Sequence, residues 1–328
     1  LDMAKLVTIF GGSGFVGRYI ARRLAKEGWR IRVAVRRPNE AIFVKPYGAV
    51  GQVEPVLCNI RNDESVRAVL QGADAVVNCV GLLVQNGKNT YEAVQSEGAE
   101  RVARISAEMG VSSLVHLSAL GADAESESDY QKTKAAGEEG VLKHFPSAMI
   151  LRPSVMFGAE DEFFNRFASM SRFGPILPVI GAETKFQPVY VDDVAQAAVQ
   201  GVTNSVSGVY ELGGPDVSTF RELMAEMLDV IRRRRLVVNI PFFVAKIMAF
   251  GFGVLSFCTL GLVKAPVTLD QVRNLRVDNI VPEGAMGFGD LGIKPASLEA
   301  VLPSYLWCFR PSGQYDAIKE SAKNLRPE

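Results

Sequence analysis

The feature that most constrains this chain is a glycine-spaced turn near its N-terminus. "KLVTIF" reads as a buried strand. "GGSGFVG" follows at once, setting Gly11, Gly14 and Gly17 in the order GxxGxxG ahead of the helix-like "VGRYIARRLAKEG". A strand that runs into such a turn and out into a helix brings backbone N–H groups and a helix N-terminus to one point, an arrangement that takes a pyrophosphate. The spacing alone also suits an ordinary tight turn; its position between strand and helix is what selects dinucleotide binding. Gly11, Gly12, Ser13, Gly14, Phe15 and Gly17 are therefore candidate cofactor contacts.

The next 150 residues repeat the alternation that begins there. Apolar runs at "IRVAV", "VEPVLCNI", "AVVNCVG", "SSLVHLSA" and "AMILRPS" are separated by longer helix-like segments such as "GAERVARISAEMG". This predicts an α/β fold, a Rossmann-type doubly wound parallel sheet joined by right-handed crossovers. A length of 328 residues exceeds what one core usually holds. We expect a nucleotide-binding domain over residues 1–215, with segments after 155 contributing to a C-terminal lobe. A smaller mixed α/β docking or substrate-side domain is expected over 216–328. With 36 basic and 36 acidic residues the chain has no net field to draw nucleic acid. Four scattered cysteines form no CxxC and two histidines, His116 and His144, cannot build a His-rich metal site, so both histidines read as structural. No basic segment followed by an apolar one precedes "KLVTIFGG", which predicts no secretory signal.

Further cofactor positions follow from strand order. The second strand ends in Arg36 and Arg37, where an acidic residue would grip the 2′-hydroxyl of NAD. Two guanidinium groups there favour a 2′-phosphate and so NADP(H), the alternative being a merely solvated strand end. Asn59 and Ile60 close the third strand, on the adenine side. Cys79, Val80 and Gly81 close the fourth, beside ribose and phosphates, and Pro153 ends the sixth.

"SDYQKTKA" sets Tyr130 four residues before Lys134, one helical turn apart on one face. Ser118 ends the fifth strand twelve residues earlier, at the edge where open α/β sheets bind ligands. Together these supply a hydroxyl to polarise a carbonyl, a phenol to pass a proton, and an ammonium expected to lower the phenol pKa and hold the nicotinamide ribose. A second copy of the spacing, Tyr315 to Lys319, lies in a polar tail and reads as a solvated turn.

The glycine turn, the Ser118, Tyr130 and Lys134 set, "ILRPSVMFG" and "QPVYVDDVAQA" resemble an extended or atypical short-chain dehydrogenase/reductase. Within that superfamily, residues 128–170 together with "LGIKPASLEAVLPSYL" and "FRPSGQYD" are similar to the alpha-subcomplex subunit nine family, an accessory subunit of respiratory complex I. The resemblance implies tight NADPH binding and a structural or assembly role among other complex I subunits, near the junction of the peripheral and membrane arms. It also implies a peripheral place on the inner membrane, on the cytoplasmic side in a bacterium or the matrix side in a mitochondrion. Tyr130 and Lys134 would then clasp the nicotinamide end without catalysing. An independent NADP-dependent reductase, and an assembly or redox-sensing factor, remain as alternatives. One departure from the superfamily pattern is Gln95, near a place where extended reductases often carry asparagine.

Past residue 215 the composition changes. Arg232 to Arg235 precede a stretch, 247–263, that contains no charge. Its 17 residues are at the lower limit for a membrane span of about 17–25 residues. A buried helix pair, a span, and an exposed apolar face that docks on a membrane surface or a hydrophobic subunit are the three readings. In the last, the arginines would lie near anionic lipid head groups.

Overall fold

The structure is a computed structural model that describes residues 4–258, 268–311 and 313. The first strand, β1 (Leu6–Phe10), passes through the glycine turn into α1 (Phe15–Lys26). The alternation continues with β2 (Arg30–Val35), β3 (Val53–Leu57), α2 (Asp63–Leu70), β4 (Ala75–Asn78), α3 (Glu97–Glu108), β5 (Ser113–Leu117), α4 (Asp129–His144) and β6 (Met149–Pro153). Each helix forms for a local reason. In α1 the spacing of Val16, Ile20 and Leu24 makes one buried face, and burying each such side chain stabilises by about 1.5–3 kcal/mol. The Asn62 side chain caps α2 by accepting from the Ser65 N–H, and Ser128 caps α4 by accepting from the Gln131 N–H.

A second set of elements follows: β7 (Met156–Phe157), α5 (Phe164–Met170), β8 (Ile176–Ile180), β9 (Lys185–Phe186) and β10 (Val189–Tyr190). Then come α6 (Val191–Thr203), β11 (Gly208–Leu212), β12 (Ser218–Thr219), α7 (Phe220–Val230), β13 (Leu236–Ile240), α8 (Phe242–Cys258), α9 (Leu269–Asn274) and α10 (Leu298–Leu306). The chain divides into two compact units. The first holds 1–154, 191–213 and 281–295, and the second holds 155–190, 214–280 and 296–328.

In the first unit, seven parallel strands run in the order β11-β6-β5-β4-β1-β2-β3. β1 pairs with β2 on one side and β4 on the other, so the winding direction reverses beside it. A doubly wound sheet opens a crevice for ligands at that reversal, beyond the carboxyl ends of the strands. The core on one face includes Val76, Val102, Ile105 and Leu114. The helices α3 and α4 approach closely because α4 carries Gly137 and Gly140. A side chain at Gly137 would collide with the Gln95 carbonyl, and one at Gly140 would meet Glu100 Cβ at 2.7 Å.

In the second unit, Phe157, Phe164, Leu223, Met227 and Leu302 form a separate core, and α7 starts from a capping box between Thr219 and Glu222. Two short strands, β8 and β13, pair in parallel with Leu236 opposite Ile176 and Val238 opposite Pro178.

Candidate nucleotide site

The glycine turn is built for close approach. Gly11 adopts φ +72°, which a side chain would strain, and its N–H donates to the Ala34 carbonyl at 3.0 Å, fixing the turn to the end of β2. At Gly17 a Cβ would run into the Gly11 carbonyl oxygen and Gly12 Cα, both backbone, so the first turn of α1 sits on the glycine turn only because no side chain intervenes. A Cβ on Gly11 would lie 3.3 Å from the Cys79 carbonyl carbon and from Val80 Cγ2, so the turns after β1 and β4 abut. Ser13, Gly14 and Phe15 lie on the same turn, where Arg18 donates to the Ser13 and Gly14 carbonyls and the Gly14 N–H donates to the Gly11 carbonyl at 2.9 Å.

At the end of β2, Arg37 pairs with Glu40 at 2.9 Å, both well exposed, while the exposed Arg36 has no partner among the described residues. Asn59 and Ile60 fall in the turn after β3, past the strand end. The Asn59 side chain accepts from the Arg61 N–H, and Ile60 turns into the core. Pro153 ends β6, where its carbonyl accepts from the Leu120 N–H at 3.0 Å.

On the other side of the reversal stand Ser118, Tyr130 and Lys134. Ser118 follows directly on β5, is only 4% exposed, and its Oγ has no hydrogen-bond partner among the described residues. A buried hydroxyl without a partner costs free energy, and a ligand carbonyl or hydroxyl would supply the missing bond. Lys134 is buried, its ammonium donates to the Leu117 carbonyl at 3.2 Å, and it would lie 3.4 Å from a Cβ on Gly81. Gly11, Cys79, Val80, Gly81, Lys134 and Leu117 therefore form a continuous line of neighbours across the reversal.

The electrostatics differ from the sequence expectation at one point. The Tyr130 phenol is pushed up to about 12, by burial first and then by the neighbouring Tyr91 phenol, rather than lowered by the lysine. The Tyr91 and Tyr130 rings meet edge to face at 5.9 Å, and Lys134 Nζ stands 6.0 Å from the Tyr130 ring centre. Its ammonium is directed at a backbone carbonyl, so its influence on the phenol is weak. Burial also lowers Lys134 to about 8, with Glu138 and Cys79 opposing. Burial pushes the Cys79 thiol up to about 12, which keeps it protonated.

His116 is held down to about 3 by burial and then by Lys134, so it is neutral. The Asn78 oxygen accepts from the Val80 N–H, which leaves the Asn78 amide nitrogen, 3.2 Å away, to donate to His116 Nδ1. The proton then sits on Nε2. Both histidines have structural surroundings, since His144 contacts Glu100 at 3.0 Å. Gln95 is buried on one π-helical turn, Glu92–Ser96, that opens α3, and its amide nitrogen donates to the Leu82 carbonyl.

Sequence reasoning missed the group that anchors the site helix. Glu138 lies one turn beyond Lys134 and accepts a two-pronged ion pair from Arg152 at 2.6 and 2.9 Å. Arg152 also reaches Glu211 at 2.9 Å across the β6–β11 register. The spacing Tyr130, Lys134, Glu138 is the one signal that pointed to it. The repeated Tyr315 and Lys319 lie outside the described residues, as do residues 259–263 of the uncharged stretch. Among the described residues, no helix is long and apolar enough to cross a membrane and no cluster could hold a metal.

A parallel sheet wound both ways about a glycine turn, with a tyrosine and lysine one turn apart beyond β5, defines the class of extended short-chain dehydrogenases/reductases. Residues 7–213 match the NAD dependent epimerase/dehydratase family. The fold is shared with a solved UDP-glucose 4-epimerase of Thermus thermophilus in complex with NAD, at TM-score 0.69 and 18% identity, covering 94% of this chain and 99% of that one.

Within that class the chain belongs to the family of respiratory complex I alpha-subcomplex subunit 9. It is 36% identical to that subunit of Arabidopsis thaliana, over 94% of this chain and 79% of the relative. It is 34% identical to the NADH-ubiquinone oxidoreductase 40 kDa subunit of Neurospora crassa, over 98% and 84%. A ceramide reductase of Caulobacter vibrioides is 29% identical over 73% of this chain and 75% of that one.

Proposed function

We propose that this chain is an NADP(H)-holding, non-catalytic accessory subunit of membrane-bound NADH:quinone oxidoreductase. It would sit peripherally at the inner membrane, on the cytoplasmic side in a bacterium, near the junction of the peripheral and membrane arms. The observation that carries the reading is the similarity to complex I subunits across nearly the whole chain, second unit included. The residues fit the dinucleotide. Gly11 and Gly17 let the turn pack tightly between the ends of β1 and β4 and the start of α1, where a pyrophosphate would lie against a helix N-terminus, Arg36 offers an unengaged guanidinium for a 2′-phosphate, and Ser118 and Lys134 offer polar groups for the nicotinamide half.

Bound nicotinamide would supply hydride chemistry in a reductase; in this reading it stabilises the folded subunit by mass action. A high phenol pKa and a lysine committed to a carbonyl favour holding over proton transfer. The test is purification of the native complex from membranes, followed by release and identification of bound nucleotide. The chain should co-purify with NADP(H). A complex lacking it, or a chain carrying only NAD(H), overturns the corresponding half of the proposal.

The unpartnered Ser118 hydroxyl and the ceramide reductase similarity favour a second reading, an independent NADP-dependent carbonyl reductase with Tyr130 as general acid. A Tyr130→Phe variant that binds NADPH normally but loses a measurable wild-type turnover would establish it.

A further inference from the structure

The helix α8 is built inside out. Over residues 242–252, its buried residues are Ala245 and Ala249, 0% and 3% exposed, packed with Ile180 and Val272. Phe242 packs with that core, but three other large side chains point the other way: Phe243, Ile247 and Phe250 are 67%, 68% and 65% exposed. Spaced at i, i+4 and i+7, they form one stripe. A helix that packed only against its own protein would turn the phenylalanines inward and the alanines outward.

The strand before it repeats the pattern. On the β8–β13 pair, Leu177 and Val179 are buried, while Leu236, Val238, Ile176 and Pro178 are all exposed as cross-strand neighbours. A two-stranded sheet with one face on its core normally puts polar residues on the other. Contiguous exposed apolar surface of this kind marks an interaction site.

Charge selects the occupant. Between Asp229 and Asp270 there are six basic residues and no acidic one. Arg172, Arg234 and Lys246 are exposed and have no ion-pair partner among the described residues. Arg233 is held below its ordinary value by burial and then by Arg235 and Arg172, so these cations stand close enough to feel one another. Protein interfaces deplete charge around an apolar centre, whereas an interfacial helix carries its cations beside the apolar stripe, level with anionic head groups. Among the described residues no helix is long and apolar enough to cross a membrane.

We infer that the outward faces of α8 and β13, with Arg172, Arg234 and Lys246, form a docking surface for an anionic phospholipid bilayer. This deepens the peripheral-membrane part of the proposed function. It can fail separately, because its test uses the isolated chain and needs no other subunit.

The experiment is co-sedimentation of the full chain, loaded with NADPH, with phosphatidylcholine vesicles that do or do not contain phosphatidylglycerol or cardiolipin. Binding is expected to the anionic vesicles and to fall with added salt. Phe243→Ser, Ile247→Ser and Phe250→Ser combined should lower the partition coefficient at least tenfold. Arg172→Gln, Arg234→Gln and Lys246→Gln combined should lower it by roughly fivefold per charge removed. Thermal unfolding checks that each variant is folded. Should the helix triple variant unfold, Leu236→Ser with Val238→Ser serves in its place, and its partition should fall likewise. No partition of the wild-type chain onto anionic vesicles overturns the inference. So does partition that both sets of variants leave unchanged. A surface that binds purified complex I subunits but not vesicles would be a protein interface, which also overturns it.

Discussion

The Lys134 ammonium donates to the carbonyl of Leu117, the last residue of β5, at 3.2 Å. One bond thus ties the middle of α4 to the strand end beside Ser118. The lysine is buried and held at about 8, below its ordinary 10.5.

That depression makes Lys134 a cost to the empty fold. Well below pH 8 both folded and unfolded chains carry the proton and the burial penalty is full. Between about pH 8 and 10.5 the unfolded chain binds more protons, so this group's contribution makes the empty protein more stable as pH rises. Lys134→Met should therefore raise the stability of the nucleotide-free protein at pH 7 by about 1–3 kcal/mol while weakening NADPH binding. Thermal unfolding and calorimetric titration of one sample measure both. In the wild type, NADPH affinity should decline as pH rises through about 8.

Arg36→Asp should lower NADPH affinity by at least tenfold and raise NADH affinity, because the unengaged guanidinium is replaced by an acceptor for the 2′-hydroxyl. Arg37→Ala should have the smaller effect, since that guanidinium is shared with Glu40. Competitive titration of the two dinucleotides reads the ratio.

Gly17→Ala places a methyl against the backbone of Gly11 and Gly12, which cannot move without opening the turn. The expected cost is about 1–3 kcal/mol of stability together with loss of dinucleotide binding. Denaturant unfolding with and without NADPH separates the two effects.

Glu138→Ala removes the better-placed carboxylate of Arg152 and leaves that guanidinium half-buried with Glu211 alone. Breaking a largely buried pair in this way costs about 3–5 kcal/mol, and Glu138→Gln should cost less because it keeps one hydrogen bond. Both are read by chemical denaturation at pH 7, where a drop in the midpoint at unchanged slope marks a loss of stability.

The sheet was legible because its signals are local. The apolar runs and the GxxGxxG spacing each lie within a dozen residues, and together they predicted parallel strands in a doubly wound sheet. The Glu138–Arg152–Glu211 network was not, since its members stand 14 and 59 positions apart and meet only through strand register. The phenol's direction was misjudged for a related reason. Spacing shows that Tyr130 and Lys134 share a helix face, but only three dimensions reveal that the ammonium is directed at Leu117 and that Tyr91 stands by the phenol. In the uncharged stretch, composition announced apolar surface, but which face of α8 turned inward depended on alanines fitting against Ile180 and Val272.

The first unit takes its last piece, residues 281–295, from beyond most of the second. Phe288, Leu291 and Ile293 are buried there, the Met286 carbonyl accepts from the Glu211 N–H at 2.8 Å, and the Leu291 carbonyl accepts from Gln200 at 2.9 Å. During synthesis, then, the nucleotide unit cannot close as its own strands leave the ribosome. It must wait until residues 281–295 have been made, and a chain cut short before residue 281 would emerge with its sheet assembled and its last apolar pocket unfilled.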